Sequence, residues 1–188
     1  MALLTVKPTN LDVIVANNIA ARTSPLAETV ANALTWGADE HILTILALGG
    51  WILARRESPE RRLASDHILL TTLVASALPH LLKRVFDQER PDRRTVRGHW
   101  RGVPFSGRRL DAFPSGHAVH IGALASAATL LPPKVRNAAW ALGLALVSTR
   151  IALLAHWTSD VVVGVGVGIL TERALRRLTG YGRNVVER

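Results

Sequence analysis

The sequence predicts an all-α fold, an integral membrane helical bundle of about five transmembrane helices that follows N-terminal interfacial helices. The first observation behind this prediction is that 48% of the residues are hydrophobic and gather in five apolar runs. The second is that these runs are rich in alanine and glycine, which lets helix backbones approach closely in lipid. The third is that many of the 23 lysine and arginine residues stand in short segments between the runs.

The chain is predicted to form a single domain, residues 1–188, with three parts. Residues 1–38 are expected to form interfacial helices, because 11–21 has one apolar face and Pro25 opens a second amphipathic stretch. Residues 39–172 are expected to form the bundle and 173–188 a basic cytoplasmic tail. None of the apolar runs is an uninterrupted stretch of about twenty residues, so a soluble helical domain is the alternative. The runs are 41–54, 68–82, 118–131, 138–155 and 161–170.

The distribution of positive charge predicts how the bundle is oriented. Lysines and arginines accumulate at 55–62, at 134–136 and in the tail, and cytoplasmic loops of membrane proteins carry an excess of such residues. The long loop after residue 83 and the region around residue 156 are therefore expected on the periplasmic or exterior face of a multi-pass cytoplasmic membrane protein. Several arginines in that outer loop break the rule, and we attribute them to an anionic substrate or to lipid headgroups: Arg93, Arg94, Arg97, Arg101, Arg108 and Arg109.

Two residues one helical turn apart predict a nucleophile and the group that holds it. Asp160 follows His156 by four positions, so its carboxylate can hold the imidazole. If that carboxylate accepts from Nδ1–H, Nε2 is left bare to attack phosphorus, and the developing positive charge is stabilised. Thr158 and Ser159 are expected to cap the helix that follows. His156 is the predicted nucleophile.

A second cluster, Pro114-Ser115-Gly116-His117, predicts a phosphate-binding turn followed by an acid. Ser115 is expected to cap a helix, and Gly116 to let backbone N–H groups approach a phosphate oxygen. His117 is then placed to protonate a leaving group, because histidine has a pKa near neutrality.

Permanent positive charge is predicted to come from three residues. Lys83 and Arg90 are seven positions apart, which is two turns along one face if the helix continues to Pro91. Arg90 or Arg150 can bind two phosphoryl oxygens at once, whereas Lys83 acts as a point charge. Such a set of groups can transfer a phosphoryl group through histidine with no metal ion and no other cofactor.

In these three motifs the chain resembles the type 2 phosphatidic acid phosphatase family, which also includes bacterial class A acid phosphatases and vanadate-dependent haloperoxidases. The family pattern is Lys, six residues, Arg-Pro; then Pro-Ser-Gly-His; then Ser-Arg, five residues, His, three residues, Asp. The sequence keeps this spacing and departs only at Thr149, where the family usually has serine. The resemblance implies His156 as nucleophile, His117 as general acid, and the following phosphate ligands: Lys83, Arg90, Ser115, Gly116 and Arg150.

The motifs and the apolar runs together predict an enzyme, a membrane lipid phosphatase that works without a metal ion. It would hydrolyse a lipid-linked phosphate monoester or diphosphate in the bilayer through a phosphohistidine, with water as final acceptor. Undecaprenyl diphosphate and a phosphatidic acid-like lipid both fit this description. The sequence carries no feature that selects one of these lipids or one oligomeric state.

Three other functions are alternatives to a lipid phosphatase. A vanadate-dependent haloperoxidase would use the same pocket, but such proteins are generally larger and soluble. A non-catalytic membrane protein that recognises phosphate would keep the ligands without turnover. A nucleic-acid partner is not expected, because the net charge of +9 is divided among loops and lacks an aromatic stacking platform.

Two residue types limit the remaining chemistry. The chain has no cysteine, which excludes disulfides and thiolate metal sites. Four histidines have no partner at metal-ligand spacing and are interpreted as structural: His41, His67, His80 and His99.

Overall fold

The structure is a computed structural model that describes residues 3–92 and 110–182. In this part of the chain, seven α-helices and two short strands form one helical bundle. The helices are α1 (Asn10–Arg22), α2 (Pro25–Thr35), α3 (Glu40–Ala54), α4 (Pro59–Val85), α5 (Gly116–Ala127), α6 (Pro133–Ala152) and α7 (Thr158–Thr179). The strands β1 (Leu4–Thr5) and β2 (Phe86–Asp87) pair in parallel.

The helices begin where the sequence supplies capping groups. Oxygens of Ser24, Asp39 and Ser58 accept hydrogen bonds from backbone N–H groups in the first turns of α2, α3 and α4. Pro25 and Pro59 stand at the first helical position, where the missing N–H costs nothing. Short polar side chains therefore mark these starts.

The helical part of the prediction is confirmed, because each apolar run has its own helix among α3 to α7. Two predicted boundaries were wrong. The run expected to continue to residue 131 leaves the α-helix at Ala127, and α6 stops at Ala152 because the chain turns sharply before His156. The β1–β2 pair was not predicted, since two-residue strands leave no alternating pattern in a sequence.

The last helix of the bundle extends past residue 172, where the sequence analysis placed the start of the tail. Helix α7 continues to Thr179 and ends at Gly180, whose φ of 73° is the left-handed conformation that glycine adopts most easily. The basic residues at 173–177 are thus helical. The end of the predicted tail, with Arg183 and Arg188, lies outside the described residues, as do His99 and the arginines of the predicted outer loop.

Helix α5 is the centre of the bundle. Nine of its 12 residues are buried, most of them with small side chains. Helices α4, α6 and α7 surround it, with α7 lying closest along it. On the outside, α3 packs on α4, α2 packs on α6, and α1 contacts α7.

Glycines set the distance between α5 and α7. A Cβ on Gly122 would overlap the backbone of Val165, and a Cβ on Gly168 would overlap the backbone of Val119. Gly166, by contrast, has nothing within 4 Å of the position of a Cβ. The two helices therefore touch backbone to backbone, which only glycine allows.

A buried polar cluster joins three helices at one end of the bundle. Glu172 on α7 accepts hydrogen bonds from Ser126 at the end of α5 (2.6 Å) and from Arg176 (2.7 and 2.8 Å). Its Oε1 lies 3.0 Å from Nε2 of His67, which is fully buried near the start of α4. The other ring nitrogen of His67 lies 2.9 Å from Thr179 Oγ1. His67 thus has a structural role, as predicted.

The helix directions put all the motif residues at the other end. Helices α4 and α6 arrive there with Lys83 and Arg150 in their last turns, and α5 and α7 start there. The polar cluster and the connections at residues 55–58 and 128–132 lie at the opposite end. The motif residues and the basic segments at 55–62 and 134–136 therefore occupy opposite ends of the bundle.

The N-terminal helices cover the end that carries the motifs. Asp12 in α1 accepts hydrogen bonds from the backbone N–H of Ser159 (2.9 Å) and from its hydroxyl (2.8 Å). Ala16 and Ile19 of α1 pack on Leu154 and Trp157, just before α7. Helix α1 is thus attached to the bundle by a specific polar contact. The sequence predicted an interfacial helix but not this contact.

Length combined with apolar composition distinguishes α4 from its neighbours. Among the described helices it is the one that is long and apolar enough to cross a membrane, with 27 residues. Helix α5 has 12 residues and is about 18 Å long, whereas the hydrocarbon layer is about 30 Å thick. Length and composition together therefore support one crossing among the described helices.

We expect Gly168→Ala to lower the midpoint of thermal unfolding of the purified protein. The added methyl would overlap the Val119 carbonyl and lie 2.7 Å from the Ala123 nitrogen. Overpacking of this kind costs about 1–3 kcal/mol of folding free energy.

Gly166→Ala is the matched control, since it makes the same change on the same helix in open space. Alanine is the better helix former by about 1 kcal/mol, so this variant should unfold at the same or a slightly higher temperature. Equal losses in both variants would show that α5 and α7 are not in backbone contact.

Candidate active site

The three sequence clusters meet at one end of the bundle. Lys83 lies in the last turn of α4 and Arg150 in the last turn of α6, while Ser115 is the residue before α5. His156 lies in the turn before α7, and Arg90 lies in the segment after β2. Residues that are up to 73 positions apart in sequence (156 − 83) thus surround one point.

His156 is deeply buried among positive charges. Burial lowers the pKa of its imidazole well below the ordinary value, and the charges of Arg90, Arg150 and Lys83 lower that pKa further. The imidazole is therefore neutral at physiological pH, and one of its ring nitrogens has a free lone pair.

A backbone carbonyl decides which nitrogen of His156 is free. Nδ1 lies 2.7 Å from the carbonyl oxygen of Ala112. A carbonyl can only accept a hydrogen bond, so Nδ1 must carry the proton and Nε2 the lone pair. This is the tautomer that the sequence predicts for a nucleophile.

The predicted hydrogen bond from His156 to Asp160 is not made. Asp160 Oδ2 lies 3.7 Å from His156 Nδ1, and this oxygen instead accepts from the backbone N–H of Trp157 at 2.9 Å. The reason is that Asp160 is the third residue of α7, where a carboxylate satisfies an N–H group at the helix start. Asp160 holds the turn that carries His156.

The prediction that Thr158 and Ser159 cap this helix was wrong by one to two positions. Trp157 is the capping residue, and Thr158 and Ser159 are already helical. The indole N–H of Trp157 donates to the Glu89 carbonyl at 2.8 Å. Trp157 therefore ties the start of α7 to the segment that contains Arg90.

A tight turn places His156 next to Arg150. The backbone N–H groups of Ala155 and His156 both donate to the Arg150 carbonyl, at 3.0 and 3.2 Å. Leu154 has a φ of 54°, a left-handed conformation that costs a residue with a side chain about 1–2 kcal/mol. Its buried side chain packs on Trp157, which stabilises the turn.

The two arginines of the site are held in different ways. Arg90 Nε donates to Asp111 Oδ1 at 2.7 Å, and Arg150 Nη1 donates to Thr35 Oγ1 at 3.0 Å. Arg90 is thus paired with a carboxylate and Arg150 with a neutral hydroxyl. Within the described residues the buried Nε of Arg150 has no hydrogen-bond partner. An unsatisfied buried guanidinium nitrogen is expected where an anion binds.

A second unsatisfied group faces the start of α5. Ser115 is the capping residue, as predicted, but its hydroxyl makes no bond to the helix. This oxygen is buried and has no hydrogen-bond partner among residues 3–92 and 110–182. At Gly116, a Cβ would make only ordinary contact with Pro79 at 3.7 Å, so packing does not demand glycine there.

His117 follows in the first turn of α5, on the same side as the cations. The charges of Arg150, Lys83 and Arg90 all act on its imidazole. His117 and His156 also interact electrostatically with each other. The structure therefore brings both histidines into one group with the three cations.

A cavity of about 470 Å³ opens beside Lys83. Its walls include His80 and Arg84, which lie at the same end of α4, and Asp111 from the segment before α5. The volume is within the range of small-molecule sites. Lys83 therefore lies between this cavity and the group formed by the arginines and histidines.

Four contributors to the site were not identified from the sequence. Ala112 acts through a backbone carbonyl, which leaves no sequence signal. Asp12, Thr35 and Asp111 act over long separations in sequence. Asp12 had a detectable signal, because Thr9 and Asp12 form a capping box at the start of α1.

The arrangement suits transfer of a phosphoryl group. It combines a neutral imidazole, a second histidine and donors that lack partners, which together can bind a tetrahedral anion and attack its central atom. Among the described residues, no group of three or more His, Cys, Asp or Glu side chains could hold a metal ion.

Two lipid A 1-phosphatases from rhizobia are similar to part of this chain. The protein from Rhizobium etli is 41% identical over 102 residues, which is 53% of this chain and 44% of that protein. The protein from Rhizobium johnstonii is 37% identical over 103 residues, which is 54% of this chain and 42% of that protein. The match thus spans less than half the length of these curated relatives.

Two crystal structures have a similar fold over nearly the whole chain. Aquifex aeolicus LpxE superposes with a TM-score of 0.68 and 16% identity, covering 93% of this chain and 99% of that one. The first transmembrane PAP2 type phosphatidylglycerolphosphate phosphatase from Bacillus subtilis superposes with a TM-score of 0.62 and 19% identity, covering 90% and 87%. At these identities the likeness concerns the fold.

The family model of the PAP2 superfamily matches residues 67–183, which include all three motifs. This match covers well over half of the chain, and the motif spacing and the fold agree with it. The protein belongs to the PAP2 superfamily.

Proposed function

We propose that this protein hydrolyses the phosphate ester or diphosphate of a membrane lipid through a phosphohistidine, without a metal ion. The observation that carries the proposal is the neutral, buried imidazole of His156 among Arg90, Arg150 and Lys83. A lone pair beside fixed positive charge suits attack on a phosphoryl group, whose negative charge would otherwise repel the nucleophile.

The proposed reaction has two steps. The phosphate binds between Arg90, Arg150 and the start of α5, where the Ser115 hydroxyl has no other partner. Nε2 of His156 attacks phosphorus, and the ester P–O bond breaks with its electron pair going to the ester oxygen, which His117 protonates. Water then attacks the phosphohistidine, His117 accepts a proton from it, and inorganic phosphate leaves.

Asp160 acts in this scheme as a positioning residue. Its hydrogen bond to the Trp157 N–H holds the turn before α7. The Ala112 carbonyl keeps the proton on Nδ1 of His156, so that Nε2 remains the attacking atom.

A lipid substrate is supported by a cleft between α3 and α4. This cleft has a volume of about 420 Å³, and its apolar walls include Ile45, Leu73 and Ala77. His80 lines both the cleft and the cationic cavity beside Lys83. A hydrocarbon chain in the cleft would leave its headgroup next to the cations.

A membrane location with several crossings is supported by the distribution of side chains. Polar residues including His67, Thr71, His120 and Glu172 are fully buried. Large apolar residues face outward on three helices and expose more than half of their surface: Ile45, Leu46, Ile52, Leu53, Leu142, Val162 and Leu170. Lipid is the solvent that favours this arrangement. With the basic connections on the cytoplasmic side, the site faces the periplasm or the exterior.

The rhizobial relatives support a phosphorylated lipid as the substrate, because their names describe phosphatases that act on lipid A. The proposed physiological membrane is the cytoplasmic membrane. No nucleic acid and no vanadate take part in the proposed reaction.

We expect His156→Ala to lower phosphate release from a lipid phosphate by at least about 10³-fold, because no other group replaces the nucleophile. Detergent-solubilised parent and variant would be compared for released inorganic phosphate, with thermal unfolding as the check on folding. Parent protein quenched in alkali should carry phosphate bonded to a ring nitrogen of His156, detected by mass spectrometry. An active His156→Ala protein would remove the mechanism.

The same assay tests independence from metal. Parent activity should be unchanged in EDTA, since the attacking group and the charge come from side chains. Loss of activity in EDTA, restored by a divalent cation, would contradict the proposal.

We expect the loss of activity in His117→Ala to depend on the leaving group of the substrate. Removing a general acid costs about 10²–10⁴-fold for an alkyl phosphate, whose leaving alkoxide needs a proton. An aryl phosphate leaves as a stable phenolate, so its hydrolysis should fall much less. The measurement is kcat/KM for the two esters in parent and variant; equal losses would show that His117 does not protonate the leaving group.

A further inference from the structure

We propose that His120 is a positioning residue for the acid–base chemistry of His117, to which it is linked through one bridging water molecule. This inference rests on the proposed function and adds to it a residue that stands outside the three motifs. In this role His120 fixes the orientation of the His117 ring. It also supplies a neutral acceptor for the positive charge that His117 carries when it is protonated.

The first observation is the position of His120. It is fully buried in α5, three residues after His117. Side chains three positions apart on a helix are neighbours, with Cβ atoms about 5–6 Å apart, and they lean toward the start of the helix. The ring of His120 therefore lies on the side of the turn that carries His117.

The second observation is the tautomer of His120. Its Nε2 lies 3.3 Å from the hydroxyl oxygen of Ser76 on α4. Ser76 has one hydroxyl hydrogen, which it donates to the Thr72 carbonyl at 3.0 Å. The hydroxyl of Thr44, 3.4 Å from that of Ser76, donates its hydrogen to the Glu40 carbonyl at 2.6 Å. Nε2 of His120 must therefore supply the proton for its contact with Ser76, and Nδ1 carries the lone pair.

The third observation is that this lone pair is unused. Nδ1 of His120 is buried and has no hydrogen-bond partner among residues 3–92 and 110–182. Buried polar atoms are normally paired with protein groups or with ordered water. A water molecule that donates to Nδ1 has an oxygen that can accept from a ring N–H of His117. One such water links the two rings.

The fourth observation is that charges of opposite sign act on the two histidines. Three cations act on His117: Arg150, Lys83 and Arg90. The carboxylates of Glu40 and Asp39, at the start of α3, act on His120. Positive charge on His117 is thus repelled by its own surroundings. A hydrogen-bonded link to His120 lets this charge interact with the acidic side of the bundle.

The proposed reaction needs such a partner for His117. In the first step both ring nitrogens of His117 carry protons, and the nitrogen that faces the substrate gives its proton to the leaving oxygen. The other N–H remains bonded to the water held by His120. In the second step the nitrogen that faces the substrate takes a proton from the attacking water. His120 neither gains nor loses a proton in the cycle.

The test is a double-mutant cycle between the two histidines, measured with an alkyl and an aryl phosphate. The value of kcat/KM would be determined for the purified parent, His117→Ala, His120→Phe and the double variant, with thermal unfolding as the check on folding. His120→Phe keeps an aromatic ring and removes both ring nitrogens. His120→Asn is the conservative variant, because its amide oxygen can accept a hydrogen bond from the same water.

We expect His120→Phe to lower kcat/KM for the alkyl phosphate by about 10–100-fold, the effect of one hydrogen bond to a charged group. The aryl phosphate should be affected much less, because its leaving group does not need the proton of His117. Adding His120→Phe to His117→Ala should cause no further loss, since the effect of His120 passes through His117. His120→Asn should recover part of the loss.

Thr72→Val is the matched control. Thr72 is buried on the same helix as Ser76, and its hydroxyl donates to the Ile68 carbonyl of that helix. This variant should keep the parent kcat/KM for both esters. His120→Leu, with a smaller apolar side chain, carries the same prediction as His120→Phe if phenylalanine prevents folding.

Equal losses for the two esters, or losses that add in the double variant, would mean that His120 acts through the packing of the bundle and would overturn the inference. An unchanged kcat/KM for the alkyl phosphate in folded His120→Phe or His120→Leu would do the same. Both results would leave the phosphatase in place. A folded parent protein that hydrolyses neither ester would instead overturn the proposed function.

Discussion

Backbone contact between α5 and α7 is the constraint on which the site depends. Gly122 and Gly168 allow this contact in the middle of the bundle. Gly164 allows it at the end that carries the motifs, where an added Cβ would lie 2.8 Å from the Ser115 carbonyl oxygen. The Ser115 N–H donates to the Asp160 carbonyl at 3.4 Å. Two helix starts therefore stand side by side, and their dipoles and free N–H groups favour an anion between them.

The two ends of the bundle differ in whether their buried polar groups have hydrogen-bond partners. At one end Glu172 is surrounded by donors from Ser126, Arg176 and His67, so its charge is satisfied inside the protein. At the other end the Arg150 Nε and the Ser115 hydroxyl have no partner among the described residues. A buried group without a partner destabilises the fold unless a ligand supplies one. The satisfied end holds the helices together, whereas the other end leaves these two donors unused.

The geometry of His156, the predicted nucleophile, depends on irregular backbone. The Ala112 carbonyl selects the His156 tautomer, and Leu154 adopts a left-handed conformation so that His156 turns back toward Arg150. Strain of this kind persists where packing stabilises it, here through the contact between Leu154 and Trp157. Helix α1 supports the same turn through the hydrogen bonds of Asp12 to Ser159. The packing of the bundle thus fixes the orientation of the His156 imidazole.

The sequence alone determined the helices of the bundle, because long apolar runs carry their own signal, and the residues of the three motifs, because their types and spacing are local. Tertiary structure decided what holds them. The Asp160 carboxylate accepts a hydrogen bond from the Trp157 N–H and not from the imidazole, because a carboxylate at a helix start lies close to backbone N–H groups that lack a partner within the helix. Ala112 and Thr35 became partners of His156 and Arg150 across 44 and 115 positions. Arg84 and His80 gained a shared cavity with Lys83. Such contacts depend on how helices pack, and neither periodicity nor motif spacing contains that information.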